Sequence, residues 1–139
     1  MTNKFTILGS GSSLGVPRID GNFGKCNPNN QKNHRTRCCA HLKFHEISIL
    51  IDTSPDLRSQ LLRNKIKDVD YVLYTHAHAD QTHGINDLRA FYIKYRKRLN
   101  VYADRLTKKH LMSSFGYCFK NKPGYPAILK MNCLLYTSD

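Results

Sequence analysis

The apolar run Tyr71-Val72-Leu73-Tyr74 stops at Thr75 and gives way to His76-Ala77-His78-Ala79-Asp80-Gln81-Thr82-His83-Gly84. A short run of large apolar and aromatic residues reads as a buried strand, and helical periodicity resumes only after Gly84. Three imidazoles and one carboxylate therefore fall within eight residues, directly after a strand. Open α/β sheets build their sites at the carboxyl ends of strands, because the loops that leave those ends converge there. This arrangement constrains the chain to an α/β fold with chemistry at one sheet edge.

The flanking sequence repeats the alternation. Residues 4–8 form a strand that runs into Gly9-Ser10-Gly11-Ser12-Ser13-Leu14-Gly15-Val16-Pro17. That loop is not a dinucleotide fingerprint, since its third Gly is misplaced and Pro17 stops the helix that should follow. Residues 18–37 are polar, basic and turn-rich and read as one long surface loop. Residues 39–44 and 46–52 form a hairpin. Ser54-Pro55-Asp56 opens a helix, with Ser54 as cap, Pro55 at the first helical position, and Leu57, Leu61 and Leu62 as its apolar stripe. The strand at 70–74 is followed by a helix from Gly84 that carries Ile85, Leu88, Phe91, Tyr92 and Tyr95 on one face. A strand at 100–103 and a helix from Asp104 to about Phe115 complete the pattern, and the chain beyond Gly116 reads as loop.

With 139 residues the chain is one domain's worth of length. Lys and Arg number 22 against 10 Asp and Glu, a net charge of +12 that favours anionic partners. The longest apolar run, Ile49-Leu50-Ile51, is far too short for a membrane span, and no secretory signal is recognisable. Five cysteines, an odd count with Cys38 and Cys39 adjacent, read as free thiols in a reducing cytoplasm. Cys26 is taken as a free thiol. His34, His41, His45 and His110 are expected at the surface.

His76 and His78 in an extended turn can place two imidazoles on one cation, and imidazole with carboxylate is the ligand chemistry of zinc and similar divalent ions. At these residues the chain resembles the metallo-β-lactamase superfamily, whose hallmark is His-x-His-x-Asp-His at a strand end. Asp52-Thr53-Ser54-Pro55-Asp56-Leu57-Arg58, the Gly9 to Pro17 loop and Gly84-Ile85-Asn86-Asp87-Leu88-Arg89 resemble its branch of phosphoribosyl cyclic phosphate phosphodiesterases. The resemblance implies a metal-dependent hydrolase, with the fold of the N-terminal half of an αβ/βα sandwich.

It further implies that His76 and His78 hold the first metal and Asp80 the second, with zinc as the cation, one or two ions, and manganese as an alternative. Asp80 is the expected catalytic carboxylate, and Asp52 orients the metal loop without touching the ion. Gln81 stands where the hallmark has His, so it supports the loop, and His83 is the candidate to replace the missing ligand. The expected substrate is a small phosphorylated molecule, with RNA the alternative, as for a tRNA 3′-processing endonuclease. An incomplete, inactive fragment is a third reading, because no His follows His110 to supply the remaining ligands. The basic residues Arg18, Lys25, Lys32, Arg35 and Arg37 are candidates for a phosphate-binding rim. Residues 1–132 form the partial domain. Residues 133–139 resemble translated adapter sequence and read as a non-native tail.

Overall fold

A computed structural model describes residues 2–134. Six strands form one sheet in the spatial order of the chain: β1 (Lys4–Gly9), β2 (Cys39–Phe44), β3 (Ile47–Ile51), β4 (Tyr71–Leu73), β5 (Leu99–Ala103) and β6 (Leu129–Cys133). The pairs β1–β2 and β2–β3 are antiparallel, while β3–β4, β4–β5 and β5–β6 are parallel. Two reversals return β1 to the direction of β3, so β1, β3, β4, β5 and β6 all end at one edge. The parallel strands are joined by helices, as crossover connections require. These are α1 (Leu57–Arg63), α2 (Ala79–Thr82), α3 (Arg89–Tyr95), α4 (Arg105–Ser114) and α5 (Gly116–Phe119), with a 3-10 turn at Ile85–Leu88.

Strand register decides which side chains share a face. Leu50, Val72 and Val101 are paired across the sheet and fully buried. They meet Leu57 and Leu61 of α1, Ile85, Leu88, Phe91 and Leu111 in one hydrophobic core. The opposite parity aligns Phe5, Leu42, Ile49 and Tyr71 in one row, and Ile7, Ala40, Ile51, Leu73 and Tyr102 in another. None of these nine residues is fully buried, and Phe5 and Ile7 are 58% and 68% exposed. The helices thus cover one face of the sheet, and a largely apolar face remains bare.

Four local expectations are corrected. Helix α1 begins at Leu57, after the turn at Pro55-Asp56, because Ser54 Oγ accepts from the Asp56 N–H (3.0 Å) and holds that turn outside the helix. Its stripe is Leu57 and Leu61, whereas Leu62 is 63% exposed. The chain beyond Gly116 forms α5 and β6, whose Lys130 and Met131 gave no strand signal; β6 is ordered by pairing with β5. It extends through Cys133, and residues 135–139 of the expected tail lie outside the described residues. His41, expected at the surface, is buried on the helix side of β2. Ser48 Oγ donates to Asp68 O (2.6 Å), so it accepts from His41 Nε2 (2.7 Å), which fixes the proton on that nitrogen.

Candidate metal centre

Strand β4 delivers Tyr74 to the sheet edge, where its N–H still donates to Tyr102 O (2.9 Å). Residues 74–78 then leave the sheet, and α2 begins at Ala79. Two neighbouring segments hold this loop. Asp52, just past β3, has a left-handed backbone (φ 64°). It turns its carboxylate onto Thr75: Oδ1 accepts from the Thr75 N–H (2.8 Å) and Oδ2 from the Thr75 hydroxyl (2.7 Å). Burial pushes the Asp52 carboxyl above the usual range, and the two Thr75 hydrogen bonds oppose that rise. Thr53 anchors the far side, donating its N–H to Gln81 O (2.7 Å) and accepting from Gly84 N–H (3.0 Å). A Cβ at Gly84 would strike the Ser54 carbonyl, so only glycine permits this approach.

Thr75 then orients His76. Its single hydroxyl proton is committed to Asp52, so its Oγ1 accepts from His76 Nδ1, 2.9 Å away. The Nε2 lone pair of His76 is thereby left free. The His76 and His78 rings lie edge to face with centroids 4.6 Å apart, and both side chains are exposed. Sequence reasoning missed Thr75, since an isolated Thr after a strand carries no signal of its own; only the approach of Asp52, 23 residues earlier, gives it this role.

The remaining candidates sit differently. Asp80 lies in the first turn of α2, and its Oδ2 accepts from Gln81 Nε2 (3.0 Å). Gln81 is buried, and its Oε1 has no hydrogen-bond partner. The amide nonetheless faces this way because the reverse orientation would set oxygen against the Asp80 carboxylate. His83 terminates α2 with its ring edge-on to Phe115, centroids 5.7 Å apart. Among the described residues no three His, Cys, Asp or Glu side chains converge as a metal cage. The chemistry fits a divalent cation, with a paired imidazole set, a fixed His76 tautomer and a nearby carboxylate, but these residues supply only part of a ligand set. Cys26 and Cys38 are exposed, and burial pushes the Cys39 thiol up to about 12.

Comparison with known proteins agrees with this geometry. The profile of the "Beta-lactamase superfamily domain" matches residues 48–133. A curated relative, an octanoyltransferase of Porphyromonas gingivalis, is 36% identical over 121 residues, which is 86% of this chain but 24% of that protein. Among solved structures, a diphosphatase of the PhnP family superposes with TM-score 0.83 at 33% identity, over 97% of this chain and 51% of that one. Zinc-bound PqqB from Methylobacterium extorquens gives 0.70 at 17% identity, covering 99% and 50%. Human short-form tRNase Z gives 0.63 at 14% identity, covering 95% and 44%. The last two show the fold alone. The chain spans about half the length of these structures, or less, and a quarter of the octanoyltransferase. With a strand-end imidazole pair, a six-stranded α/β sheet and this profile match over most of its length, the chain belongs to the metallo-β-lactamase superfamily.

Proposed function

We propose that this chain is the metal-binding half of a hydrolase that cleaves phosphodiesters of small molecules, with a cyclic sugar phosphate as the leading substrate class. The observation that carries the reading is the Asp52–Thr75–His76 chain of hydrogen bonds, which aims a free imidazole nitrogen beside a second imidazole. The likeness to a diphosphatase at 33% identity supports phosphoryl chemistry. His76 and His78 would hold one zinc-type cation, with Asp80 directed to a second position. His83, whose ring lies edge-on to Phe115, is the candidate to join Asp80, and manganese is the alternative ion. When bound, such a cation supplies Lewis acidity and lowers the pKa of water toward neutrality. Asp52 and Thr75 keep His76 in the tautomer that can bind, and Asp80 offers the carboxylate able to take a proton from the attacking water. The donors that complete the site are assigned to the part of the longer relatives that this chain does not span. The free cysteines fit a reducing cytoplasm, and no helix among the described residues is long and apolar enough to cross a membrane.

A second reading, RNA 3′-end processing, is favoured by the +12 charge. The test uses the full-length protein and its Thr75→Val, His76→Ala and His45→Ala variants. We expect His76→Ala to abolish hydrolysis of cyclic ribose phosphates and to lose its zinc on dialysis. Thr75→Val should weaken zinc binding about 10–100-fold, as removal of a ligand-orienting partner does. His45→Ala should match wild type. Normal turnover in His76→Ala would overturn the reading, and steeply salt-dependent cleavage of RNA alone would favour the second one.

A further inference from the structure

The long basic loop folds back on the sheet. Val16 and Arg35 exchange both backbone hydrogen bonds (2.8 and 2.9 Å), and Gly11 N–H donates to Thr36 O (2.7 Å). From below, Gln60 Nε2 of α1 donates to Thr36 Oγ1 (2.9 Å) and Arg37 O (2.8 Å). Segment 34–37 is therefore fixed between the end of β1 and helix α1. Two adjoining cavities of about 350 and 480 Å³ open along it, and both are lined by His34, Arg35, Thr36 and Arg63.

The charges in this groove are not balanced. Its one carboxylate, Asp56, is taken by Arg37, whose Nε and Nη2 donate to Oδ2 (2.6 Å) and Oδ1 (3.0 Å). No ion pair among the described residues includes Arg35 or Arg63. Arg35 touches only a neutral oxygen, Ser10 Oγ (3.2 Å). Two arginines without an ion-pair partner therefore line the groove, Arg63 acting on the already paired Asp56 only through space, and they come from segments 28 residues apart in sequence. The other wall is apolar: Leu14, Val16, Pro17 and Ile19 line it, with Leu14 59% exposed and Ile19 fully so. Of the basic residues singled out from sequence, Arg37 is neutralised here and Arg18 is paired with Asp20 (3.2 Å).

We infer that the groove between Arg35 and Arg63 binds the phosphoryl group of a small organic phosphate, whose organic part rests on the wall of Leu14, Val16 and Ile19. Planar guanidiniums grip phosphate oxygens in pairs, and the apolar wall gives a sugar or base a surface that inorganic phosphate lacks. The end of β1 that borders the groove lies at the same sheet edge as His76 and His78. The inference rests on the proposed hydrolase reading for the ligand's class, but not for its location.

The test is calorimetric titration of the full-length, metal-loaded protein with a nucleoside 5′-monophosphate, the matching nucleoside and inorganic phosphate. Variants are Arg35→Gln, Arg63→Gln, their double, Arg18→Gln and His76→Ala. We expect the double variant to weaken monophosphate binding at least about tenfold, as loss of charge-assisted bonds does, and Arg18→Gln to leave it unchanged. His76→Ala should retain binding within about threefold while turnover is lost, which separates this groove from the metal position. If the double variant does not fold, Arg35→Lys and Arg63→Lys serve, and each should weaken binding by loss of the paired grip. Unchanged affinity in the Arg35 and Arg63 variants would overturn the inference. So would equal loss in Arg18→Gln, loss of all binding in His76→Ala, or equal affinity for nucleoside and monophosphate. Failure of turnover with intact monophosphate binding would instead count against the hydrolase reading alone.

Discussion

Gln81 is the residue where the motif and its surroundings disagree most. It occupies the position of an expected imidazole, yet its carboxamide is buried, gives its N–H to Asp80 and leaves Oε1 without a partner. An unmet buried acceptor costs about 1–3 kcal/mol, roughly what one good hydrogen bond returns. Gln81→Leu removes both, so its stability should stay within about 1 kcal/mol of wild type in urea unfolding. Gln81→Glu sets a buried carboxyl against the half-buried Asp80 and should lose about 3 kcal/mol near neutral pH. A large loss in Gln81→Leu would mean that Oε1 has a partner in the protein. The Gln81→Leu variant also isolates the hold on Asp80, because the backbone anchors to Thr53 and His78 are unaffected.

At the scale of elements, the loop 34–37 and helix α1 are joined by a clamp. Arg37 gives Asp56 three hydrogen bonds, two from its guanidinium and one from its backbone N–H (2.9 Å). Burial alone would raise the Asp56 carboxyl, but the bonds from Arg37 outweigh it and hold the group below its ordinary value. A carboxyl lowered on folding adds stability above its unfolded pKa of about 3.9, and that contribution is lost as pH falls through the lowered folded value. Asp56→Asn should therefore be less stable than wild type by about 2 kcal/mol at pH 7. The gap should narrow as the pH drops below about 4 in thermal melts. A gap that stayed constant down to pH 2 would mean that the charge on Asp56 contributes nothing. Gly9 belongs to the same junction, since a Cβ there would strike the Arg37 carbonyl and push the loop away from β1.

For the whole molecule, the governing feature is the bare sheet face. Exposed apolar patches of this continuity drive association. Register puts Leu50 and Val72 in the core and leaves Ile7 outside, so the identity of an apolar strand residue alone does not say which face it joins. We expect this chain alone to self-associate with rising concentration in sedimentation velocity. Phe5→Thr with Ile7→Thr should reduce that association while preserving the strand, because Thr keeps β-propensity. A monodisperse wild-type chain at all concentrations would show that the face is not sticky. The bare face and the incomplete ligand set agree with a chain that spans about half of its structural relatives.

What the sequence determined by itself was local. The strand–helix alternation, the helix that starts at Asp104 and the imidazole pair after β4 all rest on residues a few positions apart, whose periodicity and hydrogen bonding are set by the backbone. The basic excess was equally plain. Tertiary structure decided whatever depends on partners distant in the chain. Strand β3 is apolar at nearly every position, so its period-2 pattern cannot say which face is covered; pairing with β2 and β4 does. Strand β6 exists because β5 offers a parallel edge. The role of Thr75 waits on Asp52, the burial of His41 on Ser48 and Asp68, and the cationic groove on Arg63 meeting Arg35. Those side chains are brought together only by the packing of strands and helices, and no local propensity encodes such a meeting.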